Sequence, residues 1–240
     1  MQWRTYGGAV QAPAKDILAS QKFLTAVLSL TAGSLDVTTF LGLGGLFSAH
    51  ITGNLVVLAA HISTGVPVRP AAILSVPVFM LMLGVTRILA GGLEVMGYTS
   101  LRPLLLLQFL FLGAFLVLAA SERFATETIA TVGGMLGVSA MAVQNALVQI
   151  SLSGAPSTAV MTTNIVRFTM DICTILLRGD HNAIAEARQR ASKTGTSIAG
   201  FTVGCMLGAL CEATIGLRSL VLPTALSALA LVTAMTSTSK

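Results

Sequence analysis

The feature that most constrains this chain is a series of long apolar runs: Phe23 to Gly45, Ala71 to Leu93, Leu104 to Ala120, Ile129 to Ile150, Ser197 to Leu217 and Leu220 to Met235. Crossing about 30 Å of hydrocarbon at 1.5 Å per residue takes roughly 20 predominantly apolar residues in a helix. Two more runs, Ala49 to Ser63 and Thr158 to Leu177, are apolar but carry Thr, Asn, His or charged side chains. An outer-membrane barrel would instead show roughly ten-residue stretches of alternating polarity. The expected fold is therefore all-α, a polytopic transmembrane helix bundle forming one integral membrane domain over residues 1–240.

Composition closes off the soluble alternatives. Only 10% of the 240 residues are charged and 54% are apolar, with a mean hydropathy of +0.85, whereas soluble domains carry about 25% charged residues. A soluble enzyme is excluded, and the lipid bilayer is the expected partner. The net charge of +5 has no basic face with aromatic or motif support, so no nucleic-acid partner is expected. Cys173, Cys205 and Cys211 fall in apolar runs without metal-ligand spacing and read as packing residues, with no metal site and no disulfide framework.

Six clear runs plus two polar-marked ones allow eight spans, or six spans with the other two broken or re-entrant. Eight spans with a cytoplasmic amino terminus put Arg4, Lys15, Lys22, Arg69, Arg123, Arg178, Arg188, Arg190, Lys193 and Lys240 inside. Arg102 and Arg218 then lie outside, while Arg87 and Arg167 fall within spans. That distribution obeys the positive-inside rule, so eight spans is the expectation. Met1 to Ser20 lacks the short apolar core and small-residue cleavage site of a signal peptide, which makes the first span a retained anchor.

The polar-marked runs resemble each other at a constant offset of 110 residues. Ala49, Thr52, Asn54, Val56, Ile62 and Thr64 recur as Ala159, Thr162, Asn164, Val166, Ile172 and Thr174, and with a one-residue slip Asp36 aligns with Asn145. The chain thus reads as two related halves, about 1–120 and 121–240. Four spans per half would make the repeats parallel; three would invert them.

The segments AGSLDVTTFLGLGGLFSAHITGN and AVQNALVQISLSGAPSTAVMTTNIVRF resemble the two signature regions of the YoaK-like family of bacterial inner-membrane proteins, a family of unknown function. The matching residues are Asp36, His50, Thr52, Gly53 and Asn54 in the first half, then Gln144, Asn145, Thr162 and Asn164 in the second. Thr163 departs from the pattern, since the second element usually has Gly there. The resemblance implies a multi-pass protein of the bacterial inner (cytoplasmic) membrane and supplies no substrate.

A charged side chain at bilayer depth costs about 3 kcal/mol on insertion scales, which marks Asp36, Arg87, Arg167 and Asp171. Arg167 and Asp171 are four apart on one helix face and are expected to pair. Asn164, Arg167 and Asp171 form a stripe matched in the first half by Asn54, Val57 and His61. The functional expectation is a transporter or permease for a small polar or anionic solute, with an option of proton coupling. Its binding residues would be Asp36, Thr52, Gly53, Asn54, Gln144, Asn145, Thr162, Asn164 and Arg167, with Gly53 letting a helix unwind; Asp36, Asp171, His50 and His61 are the proton-coupling candidates.

The alternatives are a structural or regulatory membrane protein without a solute path and an intramembrane enzyme. No His-Glu-x-x-His helix, Gly-x-Ser-x-Gly elbow or phosphate-binding loop is present, so no catalytic residue, no cofactor and no enzyme activity are expected. Gly200, Gly204 and Gly208 are spaced for close helix packing, inside the bundle or in a homo-oligomer. The segment from Arg178 to Lys193 reads as a cytoplasmic loop with a short helix, supported by Glu186 and Arg190 four apart.

Overall fold

The computed structural model describes residues 11–121, 124, 126–177 and 180–236, with side chains described from residue 21 onward. The expectations for Arg4, Arg123, Arg178, Lys240 and residues 1–10 therefore lie outside the described residues, as does the side chain of Lys15. Eight α-helices follow in order: α1 Gln11–Gly42, α2 Ile51–Thr64, α3 Pro70–Val95, α4 Leu101–Ala119, α5 Glu127–Ser151, α6 Met161–Leu176, α7 His181–Ile215 and α8 Val221–Thr236. A 3-10 turn, Gly216–Leu220, links the last two. Five runs are long and apolar enough to cross a membrane: Gln21–Gly42, Pro70–Val95, Leu101–Ala119, Glu127–Ser151 and His181–Thr236.

Cross-helix contacts fix the direction of each element. Helices α1 and α7 run parallel: Lys22 bonds Ser192, Ser29 bonds Ser197, and Gly42 abuts Glu212 and Leu217. Helix α5 runs opposite to α1, because Gln144 donates to the Leu28 carbonyl while Gly134 packs against Leu43. Helix α4 opposes both α5 and α8, with Ser100 on Ser151, Gln108 on Gln144, Arg102 on the Ala234 carbonyl and Thr224 on the Leu112 carbonyl. The run His181–Thr236 is thus two antiparallel helices that reverse at Gly216, whose φ of 60° suits glycine.

Helices α2 and α6 behave differently. At 14 and 16 residues they are about 21 and 24 Å long, short of a 30 Å hydrocarbon layer. Helix α8 is no longer than α6, at 16 residues, but the 3-10 turn Gly216–Leu220 leads straight into it, whereas α2 and α6 each start from a loop inside the bundle. After α1, Gly44 and Gly45 turn the chain with φ of 67° and 92°, and the loop dips back until the Ala49 amide reaches Asp36, about 9 Å below the helix end. Helix α2 starts there, ends in a left-handed cap at Gly65, and leads to Arg69, whose guanidinium contacts the Leu43 carbonyl at 3.4 Å. Chain entry and exit thus lie at the same end. The second loop mirrors this from the opposite end: Thr158 accepts from Gln144, seven residues before the end of α5, and α6 then runs back antiparallel to α7, Asn164 beside Ser197 and Asp171 beside Arg190.

These directions exchange two basic residues relative to the eight-span account, since Arg69 sits where α1 ends and Arg102 sits where α1 begins. The segment expected to be a loop with a short helix is instead mostly the opening of continuous α7; its polar side chains extend that helix beyond the apolar part, and Glu186 does meet Arg190 at 3.4 Å. Gly200 and Gly208 let α7 meet the backbone of α1, where an added Cβ would lie 2.9 Å from the Ala26 carbonyl and 2.7 Å from that of Ser34. Internal packing thus accounts for the glycine stripe. The three cysteines are free, and Cys173 is exposed rather than buried. The main core joins α1, α4, α5 and α8 through Leu28, Leu35, Leu105, Leu112, Phe115, Met141, Leu147 and Ala230.

Candidate functional site

Both dipping loops are pinned by an asparagine on the helix that follows. Asn54 accepts from the Phe47 amide at 2.8 Å and donates to its carbonyl at 2.8 Å, so both ends of its amide are satisfied by one peptide residue. Asn164 donates to the Ser157 carbonyl at 2.6 Å and to the Ser197 hydroxyl at 3.3 Å, while its own Oδ1 is buried without a partner. Each asparagine reaches back seven residues to brace its loop, while neither short helix has a side-chain cap on its first amides. The preceding threonines, Thr52 and Thr162, are exposed.

Asp36 is 4% exposed and organises the first loop. Its Oδ1 accepts from the Ala49 amide at 2.7 Å and, more weakly, from that of His50 at 3.4 Å, and its Oδ2 lies 2.6 Å from His50 Nδ1. This carboxylate–imidazole contact bridges α1 to the start of α2. Phe47, tilted against Phe40 with ring centroids 4.7 Å apart, and Phe201, 5.5 Å from the imidazole, flank it and leave His50 half-buried. Gly53 lies within α2 rather than at a break: an added Cβ would stand 3.0 Å from the Phe47 ring. The chain is interrupted upstream, at 43–50, because that is where glycines tolerate positive φ.

In the second half Gln144 is fully buried, donating to the Leu28 carbonyl and Thr158 hydroxyl and accepting from Gln108 at 2.7 Å. Asn145, opposite Asp36 in the repeat, bonds only its own helix through the Met141 carbonyl. Between α5, the loop and α6 lies a cavity of about 320 Å³ lined by Asn145, Gln149, Ser157, Thr163, Asn164 and Arg167.

The expected Arg167–Asp171 pair does not form. Asp171 Oδ1 instead receives two bonds from Arg190 of α7, at 2.9 and 3.1 Å, because α7 packs along α6 and brings a guanidinium to the buried face that carries Asp171. Arg167 is exposed and has no bond among the described residues. Arg87 lies 3.7 Å from Glu94 on its own helix, both exposed. His61 is half-buried in the last turn of α2, its Nδ1 enclosed without a partner. The structure therefore groups Asp36, His50 and Asn54 at one loop and Gln144, Asn145, Asn164 and Arg167 at the other. Sequence reasoning missed Arg190, Gln108, Phe47 and Ser157; the last two were findable, since they sit 110 residues apart as do the asparagines that hold them.

Apolar helices of crossing length, packed antiparallel around buried polar residues, define a helical protein of membrane type. The chain belongs to the family described as protein of unknown function (DUF1275), whose model matches residues 24–233. The YoaK-like resemblance is to members of that same family. No curated protein and no solved structure matches the chain.

Proposed function

We propose that this protein is a permease or channel for a small polar or anionic solute, built from two inverted halves of three crossing helices each. In this reading α1, α3, α4, α5, α7 and α8 span the membrane, while α2 and α6 are re-entrant. The carrying observation is that the two loops dip in from opposite ends, so that both short helices begin inside the bundle near the depths of Asp36 and Gln144. Helix starts carry a partial positive charge and unpaired amides, and half-helices aimed at mid-depth are how transporters meet solute in the absence of water. Irregular backbone at that depth is tolerated only where protein or a cavity covers it.

The described basic residues agree with an inner-membrane orientation that has the start of α1 in the cytoplasm. Lys22, Arg102, Arg188, Arg190 and Lys193 gather at that end against Arg69 and Arg218 at the other. The Asp36–His50 pair is the proton-coupling element of this reading, able to hold or release one proton between a carboxylate and an imidazole. Transport rather than catalysis is the proposal, with the cavity beside the second loop as the place that takes the solute.

Purified protein in phosphatidylcholine vesicles tests this through the flux of glycerol, urea, formate and acetate, with and without a pH gradient. Flux above that of empty vesicles for at least one solute supports a permeation path. Empty-vesicle rates throughout, with a fixed partner protein co-purifying, would move the assignment to a structural role.

A further inference from the structure

Arg167 stands where two cavities meet. The inner one, about 320 Å³, lies between α5, the loop and α6; the outer one, about 390 Å³, lies between α6 and α7 and adds Asp171, Arg190 and Lys193. Both are lined by Gly154 and Ala155, and the same loop is flanked on its other side by Lys22 and Lys193. Their lining residues trace a line from Lys193 through the shared Arg167 to the buried Asn164.

The charges along this route do not cancel. Asp171 is taken up by Arg190, which also meets Glu186 at 3.4 Å. That leaves Arg167 and Lys193 without an anionic partner among the described residues, and Lys22 with only the Ser192 hydroxyl at 3.0 Å. Arg167, one helical turn further along the route than the Asp171–Arg190 pair, is exposed to both cavities and offers them an uncompensated positive charge. A cation would be repelled there, and a neutral solute would leave the guanidinium without a counter-charge. At its inner end the route meets Asn164, 1% exposed with an unpartnered Oδ1, which can accept from a protonated or hydrated solute.

We propose that these joined cavities are an anion vestibule, in which Lys22 and Lys193 gather a small carboxylate or inorganic oxyanion and Arg167 binds it before it enters the inner cavity. This inference rests on the permease reading and names its substrate class. A planar guanidinium offers paired donors to two anionic oxygens, which a lysine ammonium does only as a point charge. The same chemistry is carried by a lipid phosphate, so the test separates free anion from headgroup.

Full-length protein is reconstituted in pure phosphatidylcholine vesicles, and in vesicles containing phosphatidylglycerol, and the flux of formate, acetate, nitrate and glycerol is followed. At least one anion is expected to move faster than glycerol, and about tenfold more slowly through Arg167→Gln. Arg167→Lys should recover part of the rate, and the unfolding temperature should be unchanged because Arg167 has no protein bond to lose. Lys193→Gln supplies an independent reading, with a smaller, salt-sensitive fall in rate. Equal anion flux in wild type and Arg167→Gln overturns the vestibule, as does a rate loss seen only with phosphatidylglycerol, which would make the ligand a headgroup. Glycerol moving while no anion moves removes the anion claim but keeps the permease; no solute moving at all removes both.

Discussion

The two dipping loops follow one backbone plan and fill it in opposite ways. In the first, Asp36, His50 and Phe47 occupy the space between α1 and α2, and the asparagine spends both ends of its amide on the loop. In the second the corresponding residues are Asn145, Val160 and Ser157, the asparagine keeps a free Oδ1, and the space between α5 and α6 is a 320 Å³ cavity. In the proposed permease, exchanging a phenyl ring for a hydroxyl, and a carboxylate–imidazole contact for an amide and a valine, would turn a plug into a vestibule. The backbone device sets where a site lies, and a few side chains set whether it is open.

The largest effect should come from removing the carboxylate that only the plugged loop possesses. Asp36→Ala leaves the Ala49 amide and the His50 ring unpaired inside the bundle. With the His50 side chain 38% exposed the pair is only half-buried, so the loss is expected at the lower end of the buried-pair range, about 3 kcal/mol, while Asn145→Ala, which loses a bond to its own helix, should cost about 1 kcal/mol. Equilibrium unfolding of both variants in mixed micelles reads the difference. Equal losses would mean that the pair does not distinguish the two loops.

The asparagines should separate by less. Asn54→Ala gives up two bonds to Phe47 and is expected to lose about 2 to 3 kcal/mol, whereas Asn164→Ala also removes an oxygen that is already orphaned, for a loss of about 1 to 2 kcal/mol. The same unfolding series measures it, and a larger loss at Asn164 would reverse the ranking of the two braces.

How much of this was legible beforehand follows from what hydropathy reports. It locates apolar segments, so the six long helices were readable, but it is blind to direction, and α2 is apolar enough to pass for a span until its 14 residues are counted from the break. The break was written in Gly44-Gly45, yet Gly53 drew attention because it lies inside the repeated motif. The local four-residue rule paired Arg167 with Asp171 and could not see Arg190, nineteen positions on, which only helix packing delivers. Asn54 and Asn164 were legible because polar groups are rare in such runs and these recur 110 residues apart, Asp36 as a carboxylate in an apolar run and Gln144 through the family resemblance; Gln108, a lone amide in LRPLLLLQFLFLG, had no repeat partner to announce it.

The smallest expected effect is also the sharpest probe of whether the loops are equivalent. Asn145 and Val160 line one cavity, as Asp36 and His50 share one contact, so Asn145→Asp and Val160→His together should rebuild the first loop's pair in the second. Asn145→Asp alone places a carboxylate near Arg167 and should change stability little; Val160→His alone adds a half-exposed ring with no carboxylate to meet. If the loops share a geometry, the two changes couple by about 1 kcal/mol in a double-mutant cycle, and the rebuilt pair narrows the cavity and lowers any anion flux through it. Additive changes would mean that the one-residue slip between Asp36 and Asn145 moves the carboxylate out of reach, confining the likeness of the halves to their backbones.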